Sequence, residues 1–270
     1  MTRRPCVAGR FYPGEKTELE AAVKGYLLQR THPRTPEKAV AVIVPHAGYI
    51  YSGQTAGAVY SETMIPDDII LIGPNHTGLG QPASVMEKGS WETPLGSVPV
   101  NPVLAGLIIN SNAGFIADTG AHLREHSLEV QLPFIQTLNP AASIVPVTVM
   151  HASPAGCVAM GKAIARAVKA WGKDVLIVVS SDMNHYEPEA TTREKDALAI
   201  EEILALEPGR LLEVASREDI TMCGAIPTAI AMTAARELGA SKARLVSHTT
   251  SGETSGDFAQ VVGYAGIVIN

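Results

Sequence analysis

Four histidines stand just past apolar, strand-like runs: AVAVIVP leads to His46, DIILIGPN to His76, SIVPVTVM to His151 and VLIVVSSDMN to His185, with Asp182 shortly before the last. In an open α/β sheet, groups beyond the carboxyl ends of neighbouring strands converge on one crevice, where such folds bind ligands. Imidazoles gathered in a dry cleft need a cation, a proton or a hydrogen-bond partner. A divalent metal supplies that compensation at once.

Each motif also has a plainer reading. In PHAGYIYSG, the Gly and Ser after His46 allow a tight turn, and a lone histidine there serves equally as a core or turn residue. In GPNHTG, Pro74 fixes the backbone and Asn75 can hold a turn or orient His76. In SSDMNHY, Asp182 either orients an imidazole such as His185, binds a cation itself, or caps a short turn. Cys223, in TMCGAIPTAIAMTAARELG, precedes an apolar helix with an early proline. The positive end of that helix makes this thiol a better candidate for a thiolate ligand or nucleophile than the other two cysteines, the plainer reading being an inert buried thiol. Cys6 and Cys157 are read as inert. In HLREHSLEVQLPF, Glu125, His126 and Glu129 either support the pocket or merely cap and cover the following helix. His32, His151 and His248 lack comparable surroundings and are left outside the site.

The elements that must position these groups alternate. Strands are expected at 40–44, 68–73, 143–149, 174–180, 243–248 and 258–268, with a hairpin-like stretch at 84–100. Helices are expected near 102–111 and 126–138 and at 155–171, 189–205, 208–215 and 225–238. TELEAAVKGYLLQR adds a helix that packs Leu19, Val23, Tyr26 and Leu27 on the sheet. Near-continuous Val/Ile/Leu runs between amphipathic helices predict a sheet covered on both faces, mostly parallel but mixed by its last strands. The expected fold is a three-layer α/β/α sandwich forming one domain over residues 1–270, with no linker or repeat.

The net charge of −6 comes without a basic run, which argues against nucleic-acid and anionic-membrane partners. No stretch of about 18 apolar residues suggests a membrane span, and MTRRPCVAGRFYPG has no apolar signal core. A cytoplasmic protein with small-molecule or protein partners is the expectation. Three widely spaced cysteines do not form a disulfide framework.

Taken together, AGRFYP, VPHAGYIYSG, GPNHTG, REHSLEVQLPF, SSDMNHY and MCGAIP, in this order along nearly the whole chain, resemble the Memo family. That family is similar in fold to class III non-haem-iron extradiol dioxygenases. Its bacterial and archaeal members are associated with a radical-SAM protein in the AmmeMemoRadiSam system. The resemblance implies His46, His76 and Cys223 as metal ligands, with His185 at the place of the dioxygenases' acid/base histidine and Asp182 beside it. A cysteine standing where those enzymes use a carboxylate softens the site, toward copper(I), zinc or thiolate-bound iron, and disfavours ordinary catechol cleavage.

Three functions follow as expectations. The first is an iron- or copper-dependent oxidoreductase of a small substrate. The second is a non-catalytic metal-binding or peptide- and protein-binding module using the same cleft, since animal members of the family are linked to phosphotyrosine-peptide binding and metal homeostasis. The third is a metal-free Cys223–His185–Asp182 nucleophile system. A homo-oligomer is compatible with all three.

Overall fold

The computed structural model describes residues 1–28 and 35–270. His32 and the last two residues of the expected 17–30 helix lie outside the described residues. In chain order the elements are β1 (Thr2–Arg3), α1 (Lys16–Leu28), β2 (Ala41–Val44), α2 (Tyr49–Ser61), β3 (Asp68–Pro74), β4 (Ala83–Val85), β5 (Ser90–Thr93) and β6 (Gly96–Pro99). There follow α3 (Pro102–Ile109), β7 (Ile116–Ala117), α4 (Leu132–Leu138), β8 (Ser143–Val149), α5 (Pro154–Trp171), β9 (Val175–Ser180) and β10 (His185–Glu187). The chain closes with α6 (Glu189–Leu204), α7 (Pro208–Arg217), α8 (Ala225–Glu237), β11 (Ala243–Thr250), α9 (Gly252–Ser255) and β12 (Val261–Ile269).

The main sheet runs β10-β12-β2-β9-β3-β8-β4-β7, with β11 paired to β12. Its centre, β2-β9-β3-β8, is parallel, and β12 and β4 flank that centre antiparallel. Period-two alternation explains the layering. Ile43, Ile70, Ile72, Val145, Val147, Ile177 and Val179 face one core with α3, α5 and α8, while Val42, Val44, Ile69, Leu71, Ile144, Leu176 and Val178 face the other with α1, α2 and α4. Helices thus cover both faces, and the three-layer α/β/α reading holds. No described helix is long and apolar enough to cross a membrane.

Three local expectations give way. After His46 only Ala47 and Gly48 turn the chain before α2, a helix not among those expected from the sequence, whose Gly53 and Gly57 lower intrinsic helix propensity. Tertiary packing overrides that cost: α1 crosses so closely that a Cβ at Gly57 would lie 2.5 Å from the Tyr26 carbonyl oxygen. Consequently α1 packs chiefly on α2 and α4, with Leu19 and Val23 fully buried. The 126–138 helix begins only at Leu132, after a 3-10 turn at Glu129–Gln131. The hairpin region divides: β4 joins the main sheet, and β5–β6 pair with β1 in a small separate sheet.

Because β2, β9 and β3 are adjacent and parallel, their carboxyl ends open on the same edge. His46, Asp182 and His76 each follow one of these ends by two residues. His151 follows β8 in the same way, one strand further out, and is exposed.

Candidate metal centre

A cleft of about 570 Å³ lies on that edge, lined by Phe11, His46, Ala47, Gly48, His76, His126, Asp182, His185, Tyr186, Thr221, Cys223, Val262 and Tyr264. Ligand atoms of His46, His76 and Cys223 lie within 4.8 Å of one another. Cys223 stands two residues ahead of α8, and its Sγ is 3.3 Å from His46 Nε2 and accepts the Asp182 backbone N–H at 3.3 Å.

The tautomer of each imidazole follows from counting protons. Ser180 Oγ has one proton and gives it to the Ser127 carbonyl at 2.6 Å. It accepts from Gln131 Nε2 at 2.8 Å, and that amide is fixed because Nε2 also donates to the Pro45 carbonyl while Oε1 accepts from the Tyr60 hydroxyl. The 3.0 Å contact between Ser180 Oγ and His46 Nδ1 is therefore donated by the ring. His46 is held as the Nδ1–H form, leaving Nε2 bare toward the sulfur.

His76 is held by a different device with the same outcome. The fully buried Glu125 accepts its backbone N–H and, at 2.9 Å, its Nδ1–H. Burial alone would raise the Glu125 carboxyl, but the His76 ring, together with the Ser127 and His76 amides, overcomes it and holds the group down to about 2. Glu125 is then an acceptor only, so Nδ1–H of His76 is the donor and Nε2 is the ring atom left for a ligand. Such outer partners fix ring orientation in metal sites and contribute on the order of 10–100-fold in affinity. Ser180→Ala removes the acceptor that selects the His46 tautomer. Its zinc affinity is expected to fall about tenfold or more, checked by calorimetric titration, with ¹⁵N NMR showing His46 no longer confined to one tautomer.

Burial, and then the Asp182 carboxylate, push the Cys223 thiol far above its ordinary range. Without a cation the sulfur keeps its proton, whatever the nearby helix end contributes. Burial, followed by the neighbouring His126 and His76, pushes His46 well down, so it is a neutral ring. Two imidazoles, each with Nδ1 engaged by a protein acceptor, and one sulfur match the donor set of a soft or borderline metal.

His185 lines the same cleft but is held from elsewhere. Its Nδ1 donates to the Thr221 carbonyl at 2.9 Å and its backbone N–H to Thr221 Oγ1 at 2.8 Å, so Nε2 is the ring atom left for a ligand. Thr221 N and Oγ1 in turn donate to Asn184 Oδ1. Asp182 Oδ1 accepts the His46 backbone N–H at 2.7 Å, so it braces the His46 turn, whereas Thr221 holds His185. Burial raises the Asp182 carboxyl despite the bond from the His46 amide. The Cys223 sulfur points at His46 and the Asp182 backbone, an arrangement that does not favour the metal-free nucleophile.

The 122–134 motif divides. His126 lines the cleft, its ring stacked on His76 at 4.7 Å. Glu125 supports His76. Glu129 is away from the cleft wall: it pairs with Arg3 at 2.6 Å and accepts from the Cys6 and Val7 amides and the Tyr12 hydroxyl. Cys6 is raised to about 11 and Cys157 to about 11, burial being the first cause in each. His248 bonds Asp196 outside the cleft. Sequence reasoning missed Ser180, Gln131, Tyr60, Thr221 and Asn184, because no residue type or period announces a hydroxyl or amide whose work is to hold another side chain.

Fold and site together define an α/β sandwich protein with a His–His–Cys cluster at the carboxyl edge of its parallel strands. The family model described as "Memo-like protein" matches residues 3–268. A "MEMO1 family protein" of Pyrobaculum arsenaticum is 44% identical, covering 99% of each chain. One from Thermotoga neapolitana is 42% identical, covering 100% of each chain. The solved structure of an uncharacterised Escherichia coli K12 protein is similar at a TM-score of 0.59 and 13% identity, covering 86% of this chain and 100% of that one, a likeness of fold. The chain belongs to the Memo family.

Proposed function

We propose that this protein is a metal-dependent oxidoreductase acting on a small organic substrate, with a non-haem, dioxygenase-like pocket. Iron or copper is the favoured metal and zinc the alternative, held by His46 Nε2, His76 Nε2 and Cys223 Sγ. The single observation that supports this most is that two imidazole rings and a sulfur gather at one cleft whose wall also carries the His185 ring. When bound, the metal would supply redox and Lewis-acid chemistry.

The chain's own residues do the rest. Ser180 and Glu125 present the His46 and His76 nitrogens, and Cys223 gives up its proton as the cation arrives. His185 Nε2 accepts a proton from bound substrate and returns it later, while the Thr221 carbonyl accepts from Nδ1 and orients the ring. His185→Ala is expected to leave metal content unchanged and reduce turnover by about 10²–10⁴-fold. Oxygen uptake by anaerobically metal-loaded protein, given fractions of a metabolite extract, measures this. Unchanged uptake in the variant contradicts the acid/base role.

The half-buried Cys223 thiol in the cleft wall also suits a second reading, a protein that holds or passes on a metal, or binds a peptide in the same cleft, without turnover. Metal or partner binding would then survive His185→Ala, and wild-type protein would show no uptake above the metal-free control.

A further inference from the structure

Tyr186 is the one residue of the cleft whose conformation the fold does not reward. Its φ is 60°, in the left-handed region where a bulky side chain is an outlier. Leu206 shares that conformation at φ 55° but is buried in the core, and Asn112 and Asp219, also at positive φ, are types that tolerate it. Tyr186 is 71% exposed, so burial returns nothing.

Its backbone sits where the β10–β12 register breaks, between His185 and Glu187. Bulges of this kind re-aim side chains beside functional sites. Both flanks are clamped. Asn184 Nδ2 donates to Glu187 Oε2 at 2.6 Å, Lys195 pairs with Glu187 at 2.8 Å, and the His185 amide is bonded to Thr221. Strain that the surroundings over-determine at an exposed aromatic points to a ligand.

The Tyr186 ring forms part of the cleft wall with Phe11, Val262 and Tyr264, its centroid 5.7 Å from that of His185. Among the described residues no lysine or arginine lines the cleft, while Asp182 does. An anionic ligand would find no lysine or arginine there, whereas a flat, uncharged group finds aromatic walls.

We propose that Tyr186 is a ligand-contacting residue: it stacks on the flat, uncharged part of a small molecule whose oxygen-donor end reaches the His46–His76–Cys223 cluster. This rests on the metal reading of that cluster. Two probes share one chelating head and differ only in the flat part, acetohydroxamic acid and benzohydroxamic acid. Zinc is first titrated into wild-type, Tyr186→Ala and Tyr186→Phe protein by calorimetry, and each hydroxamate is then titrated into the zinc-loaded forms.

Zinc is expected to bind all three equally. Benzohydroxamic acid is expected to bind wild type and Tyr186→Phe about tenfold more tightly than acetohydroxamic acid, and Tyr186→Ala is expected to lose about fivefold on the benzo probe alone. Zinc binding with a hydroxamate ratio unchanged in Tyr186→Ala overturns the proposal and leaves the metal reading standing. Failure of zinc to bind wild type overturns the metal reading and, with it, this ligand class. Tyr186→Gly, which suits a positive φ, is expected to melt no lower than wild type, whereas a melting point several degrees lower would show that the ring serves the fold and overturn the proposal.

Discussion

Cys223→Ser lowers the affinity for zinc or copper(I) by on the order of 100-fold or more, since a hydroxyl is a harder donor and deprotonates far less readily than a thiol. Calorimetry on protein purified without oxygen measures it. The metal-free variant is expected to melt close to wild type, because a serine oxygen can accept the Asp182 amide that now bonds the sulfur. What it loses is the metal's contribution to stability, about 2.7 kcal/mol when free metal is at 100 times its dissociation constant. A large melting difference confined to the metal-loaded proteins is thus the signature of a ligand. An equal loss in both forms would make Cys223 a packing residue.

Arg3→Met carries the largest expected effect on folding. Both side chains of the Arg3–Glu129 pair are fully buried, and the guanidinium also lies 4.1 Å over the Trp91 ring. Arg3 further donates to the carbonyls of His122 and Glu125, tying the N-terminal segment to the loop that supports His76. Removing one member of a buried pair leaves an uncompensated charge, at a cost of about 3–5 kcal/mol. Denaturant unfolding of the metal-free protein checks this, and a change below about 1 kcal/mol would contradict the assigned role.

The pH dependence has a definite sign. Burial alone would raise the Glu129 carboxyl, but Arg3 and the bonds from Cys6 and Tyr12 hold it below 4.5. A carboxyl depressed in the folded state contributes its stability above its unfolded value and loses it as pH falls through the folded one. Wild type therefore loses stability on acidification below about pH 4.5. Arg3→Met is expected to lose less over the same interval, since its Glu129 no longer has the cation that held it down.

The layers and the members of the cleft were legible for a physical reason. Buried parallel strands write near-continuous apolar runs, and an imidazole two residues beyond such a run has little choice of position. What the runs do not encode is strand order. That β9 lies between β2 and β3 is what brings Asp182 against His46 and leaves His151 outside, although both follow similar apolar runs. The α2 helix was hidden because its glycines are chosen for the approach of Tyr26, a contact between segments remote in sequence. Glu129 illustrates the opposite case: a carboxylate beside candidate ligands reads equally as pocket support or as a cap, because its partner, Arg3, lies far off near the start of the chain. The residues that set tautomers, Ser180 and Thr221, were inside or beside recognised motifs, but their roles depend on where single protons go.

X-ray absorption at the metal edge of anaerobically purified, metal-loaded protein tests the central claim most directly. A shell containing one sulfur at about 2.3 Å and two imidazole nitrogens at about 2.0–2.1 Å is the expected result, with the sulfur lost in Cys223→Ser. A shell of nitrogen and oxygen alone in the wild-type protein would contradict it.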